Sequence, residues 1–501
     1  MSTRRSLLPY GLVELSGPLP DTRYAGADLA PTSVARRTWN TWHMAALWVG
    51  MSVCIPTYML AAALIQAGLD WRWALTAILL GNAIVLVPMV VNAHAGTRYG
   101  IPFPVYARAA FGLRGAHVPA LLRSAVACGW FGIQTWVGGL AIHEILTIVW
   151  PAWAGIGGAW RWMGFGLPHY VAFLIFWAVN VYFVWAGTES IKWLETFSAP
   201  LLIVAGLALL WWAGSAAGGL GTVLRDTSAL RRGAPAPPLS IGLFLPWVTA
   251  MVGFWATLAL NIPDFSRYAK SQRDQMAGQA LGLLTTMPLF AFIGVAVTSA
   301  TVRMYGEAIW NPVTLVARVT DEADSPVLGL GALVVLLVAT LSTNIAANVV
   351  APANSIANLS PSRISFRRAG LIAALIGIVI LPWKLLDAYQ TWLISYSGLL
   401  GAVGGVIVCD YLVVRRGQLE LADLYREGGA YWYSDGVNPC AMIALAAGIG
   451  TALAGTLHPS LRFLFSGAWF SAAFVSFAAY WALMRRYAPV PPPVGLTEEA
   501  R

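Results

Sequence analysis

Twelve apolar stretches, most of them close to the roughly 20 residues that cross a bilayer as a helix, run almost end to end through this chain. They fall at about 43–66, 73–93, 117–148, 168–187, 194–214, 241–262, 276–302, 327–353, 369–383, 386–413, 437–456 and 463–484, the ninth being short. Backbone polar groups in hydrocarbon must be satisfied within their own segment, so stretches of this length read as spanning helices. Composition excludes several soluble domains within the 501 residues. Charged residues make up 11%, against about 25% for a soluble domain. The expectation is an all-α polytopic membrane protein of about 12 transmembrane helices with short loops. Its longest polar connections are 215–240, with Arg231, Arg232 and Pro235, and 414–436.

The net charge of +9 does not point to nucleic acid, because Lys and Arg sit as twos and threes in short gaps rather than on one face. They read as topology charge. Twelve spans put both termini on one side, and of 31 Lys and Arg, 21 fall on that side, nine on the other, and Arg123 inside the third stretch. The positive-inside rule then makes both termini cytoplasmic in a cell (inner or plasma) membrane. The first forty residues are polar and Arg-bearing and read as no cleavable signal peptide. Cys54, Cys128, Cys409 and Cys440 lie far apart without CxxC spacing, which argues against a disulfide framework or a zinc site. There is no HxxxH, GxSxG or P-loop, and acids are nearly absent from the apolar stretches. An enzyme, a cofactor, a proton-relay chain and an obligate protein partner are therefore not expected.

Polar groups inside a bilayer are costly and face the bundle interior. In the third stretch Trp130 and Gln134 are four apart and share a helical face. An aromatic plate with an amide one turn away suits a flat heterocycle with a lactam edge; packing Trp and interhelical Gln are the plain alternative. The eighth stretch reads ATLSTNIAANVVAPAN. Ser342 and Thr343 could ligate a hard monovalent cation while Asn344 or Asn348 reaches substrate, or all four could simply bond neighbouring helices. Phe254 and Trp255 follow Gly253 in the sixth stretch and could form a second aromatic wall. Asp264 reads as a cap beside Arg267, Asp410 as a partner of Arg415 or Arg416, and Gly401 with Gly405 as a packing GxxxG. Breaks are expected around Gly50–Pro56 in the first span and at Gly253 and Pro263 in the sixth.

Motifs along nearly the whole chain, from about Arg36 to Arg486, carry a resemblance. They are IPTYMLA at 55–61, NAHAGTRYGIPFPVYARAAFGLRGA at 92–116, CGWFGIQTW at 128–136, WATLALNIPDFSRYAK at 255–270, ATLSTNIAAN at 339–348 and CDYLVVRRG at 409–417. In these the chain resembles the nucleobase:cation symporter-1 family, and within it bacterial allantoin permeases most. The resemblance implies a LeuT-type fold of two inverted five-helix repeats plus two C-terminal helices. It divides the chain into a cytoplasmic segment 1–42, a ten-helix core 43–413 with broken helices one and six, a loop and last two helices 414–484, and a tail 485–501.

It also implies roles. Trp130 stacks on the ligand, Gln134 and Asn348 bond its amide edges, and Trp255 closes the opposite face. Sodium sits on the Gly50, Val53 and Ala339 carbonyls and the Ser342 and Thr343 hydroxyls, with protons as the alternative coupling ion. Two positions depart from the hydantoin carriers: Cys54 stands in place of a Gln, and Phe254 in place of a Gly. They make the pocket less polar and narrower. The expected cargo is thus allantoin or a nucleobase such as uracil. A hydantoin or purine/cytosine carrier is the alternative, and an amino-acid or amine symporter the remoter one.

Overall fold

The computed structural model describes residues 8, 11–186, 188–224, 240–360 and 363–486. Most of the 215–240 connection, Arg231, Arg232 and Pro235 included, and nearly all of the tail lie outside them. Among the described residues, twelve apolar segments are helical. The first is a pair, Thr41–Ser52 and Ile55–Gln66, bent by 59°. Then come Trp71–Tyr99, His117–Val149, Leu167–Ala186, Thr188–Ala216, Ile241–Asn261, Gln272–Tyr305, Pro326–Asn348, Phe366–Val379, Tyr389–Cys409, Pro439–Ala454 and Ala468–Met484.

Local chemistry sets the ends. Asn40 caps the first helix by accepting from the Trp42 and His43 N–H groups, and Asp70 caps the second span through Arg72 and Trp73. The second span runs past its expected end at 93 because NAHAGTRY stays helical until Gly100 takes a left-handed conformation at φ 67°. The loops are less simple than expected. A wholly buried helix, Phe103–Phe111, follows the second span, and an amphipathic one, Pro312–Ala323, follows the seventh.

Small residues let the spans approach closely. A Cβ at Gly278 would lie 2.6 Å from the Thr41 carbonyl oxygen, and one at Gly282 2.8 Å from that of Ala45, so the first span lies directly on the seventh. Gly401 meets the Trp469 carbonyl in the same way, which bears out the packing reading of its GxxxG. The sixth span corrects an expectation. Its helix runs unbroken through Gly253 to Asn261, and only then gives way to the short turn Pro263–Ser266. Gly253 instead is the point where the sixth span touches the tenth, with the Leu393 carbonyl 2.8 Å from where a Cβ would stand.

The connections after spans two, six, eight and ten gather on one face with the N-terminal segment, as alternating spans require. Trp39 donates to the Tyr268 carbonyl and its own carbonyl accepts from Lys270; Val13 donates to Arg98 and Thr32 to Gly100. The arginines here are built in. Arg37 bonds the Thr32, Thr97 and Arg98 carbonyls, and Arg108 those of Leu424 and Tyr24 plus the Asn358 amide. Topology charge thus also serves as structural glue. Burial pushes Arg37 down to about 10, with Glu14 opposing, so it stays charged at neutral pH. Asp410 pairs with Arg415 at 2.8 Å, one of the two partners expected for it, and also accepts from the Tyr480 hydroxyl.

Candidate functional site

The bend in the first span brings its break against the eighth span, with the third and sixth spans completing a central pocket. Trp130, Gln134, Cys54, Phe254, Trp255 and Asn348 all line it, together with Met51, Pro56, Thr257, Leu258, Thr343 and Ala347. None of these side chains is charged, so the pocket suits a neutral ligand. In this conformation its cavity is about 30 Å³, far too small for a heterocyclic ring.

The aromatic side chains differ in what they pack against. Trp130 packs edge to face with Phe254 at 5.1 Å, Trp392 at 4.9 Å and Tyr389 at 5.9 Å, and its indole donates to the Tyr396 hydroxyl at 3.2 Å. Trp255 packs on Trp48 at 5.0 Å and on Phe254 at 4.9 Å, and donates to the Met287 sulfur at 2.7 Å. The ring that faces Trp130 from the sixth span is therefore Phe254, while Trp255 forms a side wall. Trp392 lies three residues after Tyr389 and four before Tyr396. That aromatic stripe at helical spacing was the available signal for it.

The amides sort themselves by their partners. Asn180 donates to the Phe176 carbonyl at 2.8 Å, which leaves its oxygen to accept from Asn344 at 3.1 Å. Asn344 also reaches Thr135 and the Phe131 carbonyl, so its own oxygen accepts from Asn348 at 3.1 Å. Asn344 thus ties spans three, four and eight together. At the end of this chain Asn348 keeps its Oδ1 for the pocket, with no protein partner among the described residues. Gln134 is 3% exposed, and its buried Oε1 has no partner among them either. Cys54 is buried with its sulfur 3.2 Å from the Thr57 hydroxyl, so it offers little polar reach.

Of the residues expected to hold sodium, Gly50 and Val53 lie at the break of the first span. Val53 is non-helical at φ −81° and ψ 81°, and Cys54 N–H bonds the Ser52 carbonyl rather than that of Gly50. The Gly50 carbonyl thereby loses its ordinary helical donor. Ala339, Ser342 and Thr343 are buried on the eighth span, and Thr343 also lines the pocket. Nearer the terminal face, Asp264 is buried, accepting from Phe103 N–H at 2.9 Å and from Asn261, which also accepts from Arg123. Arg267, expected beside it, instead bonds Thr32 and the Ala30 carbonyl.

A broken first helix packed against the eighth, beside an uncharged aromatic–amide pocket, is the arrangement of a membrane carrier. Residues 31–483 match the family described as permease for cytosine/purines, uracil, thiamine, allantoin, and the chain belongs to that family, the nucleobase:cation symporters-1. It is 42% identical over 484 residues to a purine-uracil permease of Arabidopsis thaliana, covering 93% of this chain and 78% of that one. It is 38% identical over 483 residues to the allantoin permease of Bacillus subtilis, covering 96% and 97%. Among solved structures it is similar to the inward-facing conformation of Mhp1, with a TM-score of 0.75 and 27% identity over 93% of this chain and 96% of that one. A Na+-coupled sialic acid symporter shares the fold alone, at a TM-score of 0.58 and 14% identity over 91% of each chain. The relatives are permeases, and the fold is of the LeuT type, about 12 spans built on an inverted five-helix repeat.

Proposed function

We propose that this chain is a secondary active symporter importing a small heterocyclic amide, allantoin or a nucleobase such as uracil, coupled to a cation gradient. The observation that carries this reading is that two amides, Gln134 and Asn348, line one pocket with Trp130, the buried Gln134 oxygen having no partner among the described residues. A ring amide supplies an N–H for the Gln134 oxygen, whose burial unpaired otherwise costs about 1–3 kcal/mol, and offers a second edge to Asn348. The relatives that carry allantoin, purines and uracil support this cargo. Cys54 and Phe254 make the pocket small and apolar on two sides, which disfavours a bulky 5-substituted hydantoin. In this reading the face with the N-terminal segment is cytoplasmic, residues 43–413 form the transport core, and 414–484 brace it.

The Gly50, Val53 and Ala339 carbonyls with the Ser342 and Thr343 hydroxyls would hold sodium, which would supply positive charge that ties the broken first span to the eighth. Thr343 belongs to both sites, so ion and substrate favour one closed arrangement and each tightens the other equally. One charge moving through 100 mV provides about 2.3 kcal/mol, or about 50-fold accumulation.

The test is competition for radiolabelled uptake into proteoliposomes among allantoin, uracil, hydantoin, cytosine and adenine, with and without a sodium gradient. Saturable, sodium-stimulated uptake of one ring is expected. Uptake driven by external acid alone would move the coupling to protons. Failure of every ring under both gradients would overturn the assignment of Trp130, Gln134 and Asn348.

A further inference from the structure

A second cavity, of about 320 Å³, opens on the face opposite the N-terminal segment. It is some tenfold roomier than the central pocket and reaches the size range of small-molecule sites. Tyr389 is the partition between the two. It lines this cavity, packs edge-on to Trp130 at 5.9 Å, and places its hydroxyl 3.5 Å from the Pro56 carbonyl at the break of the first span.

The cavity's lining repeats the chemistry of the central pocket. Trp310 and Tyr389 hold near-parallel planes at 25° with centroids 6.4 Å apart, two aromatic faces turned the same way. Gln390 and Trp247 join them. Trp247 is 4% exposed and Gln390 half-buried, and neither the indole N–H nor the side-chain amide hydrogen-bonds another described residue, which leaves both free to meet a ligand. An indole N–H suits a ring carbonyl, and a primary amide suits a lactam edge. Asp387, at the rim, is 4.0 Å from Lys384 and well exposed, so the interior carries no fixed charge for a neutral ring to desolvate.

We propose that this outer vestibule is a second, weaker binding site for the same flat heterocyclic amide, occupied before Tyr389 and Trp130 part to admit it. This rests on the reading of the cargo given above. It explains how a conformation whose central cavity is too small for the ring can still capture substrate.

The test uses the full chain in lipid nanodiscs and equilibrium binding of radiolabelled allantoin and uracil. Two classes of site are expected for the transported ring, the weaker by about tenfold or more. Trp310→Ala and Gln390→Ala should each abolish the weaker class and raise the KM of uptake, and Trp310→Phe should restore both. Trp130→Ala should remove the tighter class and leave the weaker. A single class in the unsubstituted protein, or a weaker class indifferent to both vestibule changes, overturns the proposal. Loss of neither class in Trp130→Ala would instead overturn the central-site reading, and the two failures are therefore distinguishable.

Discussion

Replacing Gln134 by Leu should move stability and binding in opposite directions. The Gln134 side chain is 3% exposed, and its Oε1 has no protein partner among the described residues. Holding such a group out of water costs about 1–3 kcal/mol, a cost that disappears with an apolar side chain of similar length. The ligand-free Leu variant should therefore be more stable by about 1–2 kcal/mol. Substrate binding should suffer. Two neutral hydrogen bonds contribute roughly 0.5–1.5 kcal/mol each, so about 1–3 kcal/mol is lost, or roughly 5–150-fold in Kd. Thermal unfolding in detergent without ligand reads the first effect, and scintillation-proximity binding of the transported ring reads the second. The ligand-induced rise in Tm should shrink in parallel. An ordinary core glutamine would behave otherwise: a lowered Tm with unchanged Kd would refute the reasoning.

Thr343→Ala should weaken the sodium stimulation of uptake more than binding measured without sodium, because its hydroxyl is assigned to the ion; equal loss in both conditions would sink that assignment. Cys54→Gln should broaden competition toward hydantoins by restoring an amide at the break of the first span, and an unchanged substrate profile would count against a selectivity role. Asp410→Asn should cost about 3–5 kcal/mol in thermal stability, since it leaves the buried Arg415 guanidinium without its anion, 2.8 Å away. A shift within a few tenths of a kcal/mol would show that Tyr433 and the Ala109 carbonyl, which also bond Arg415, suffice.

The run lengths of apolar residues were enough to read the helices and their number, because a span must satisfy its own backbone in lipid. The break of the first span was legible from Gly50 and Pro56 for the same local reason. The i, i+4 spacing also placed Trp130 with Gln134 and Asn344 with Asn348 on shared faces. Spacing assigns a face but not a partner. Only the folded bundle decided that Asn344 spends its bonds on spans three and four while Asn348 turns an oxygen to the pocket. It likewise decided that Phe254 rather than Trp255 meets Trp130, that Gly253 marks a helix contact and not a break, and that the terminal-face arginines bind carbonyls of distant loops. Each of these depends on what lies across the interface from a residue. Hydrogen-bond satisfaction and ring packing are properties of neighbours brought together by the tertiary fold, and a single helix's sequence carries no information about who those neighbours are.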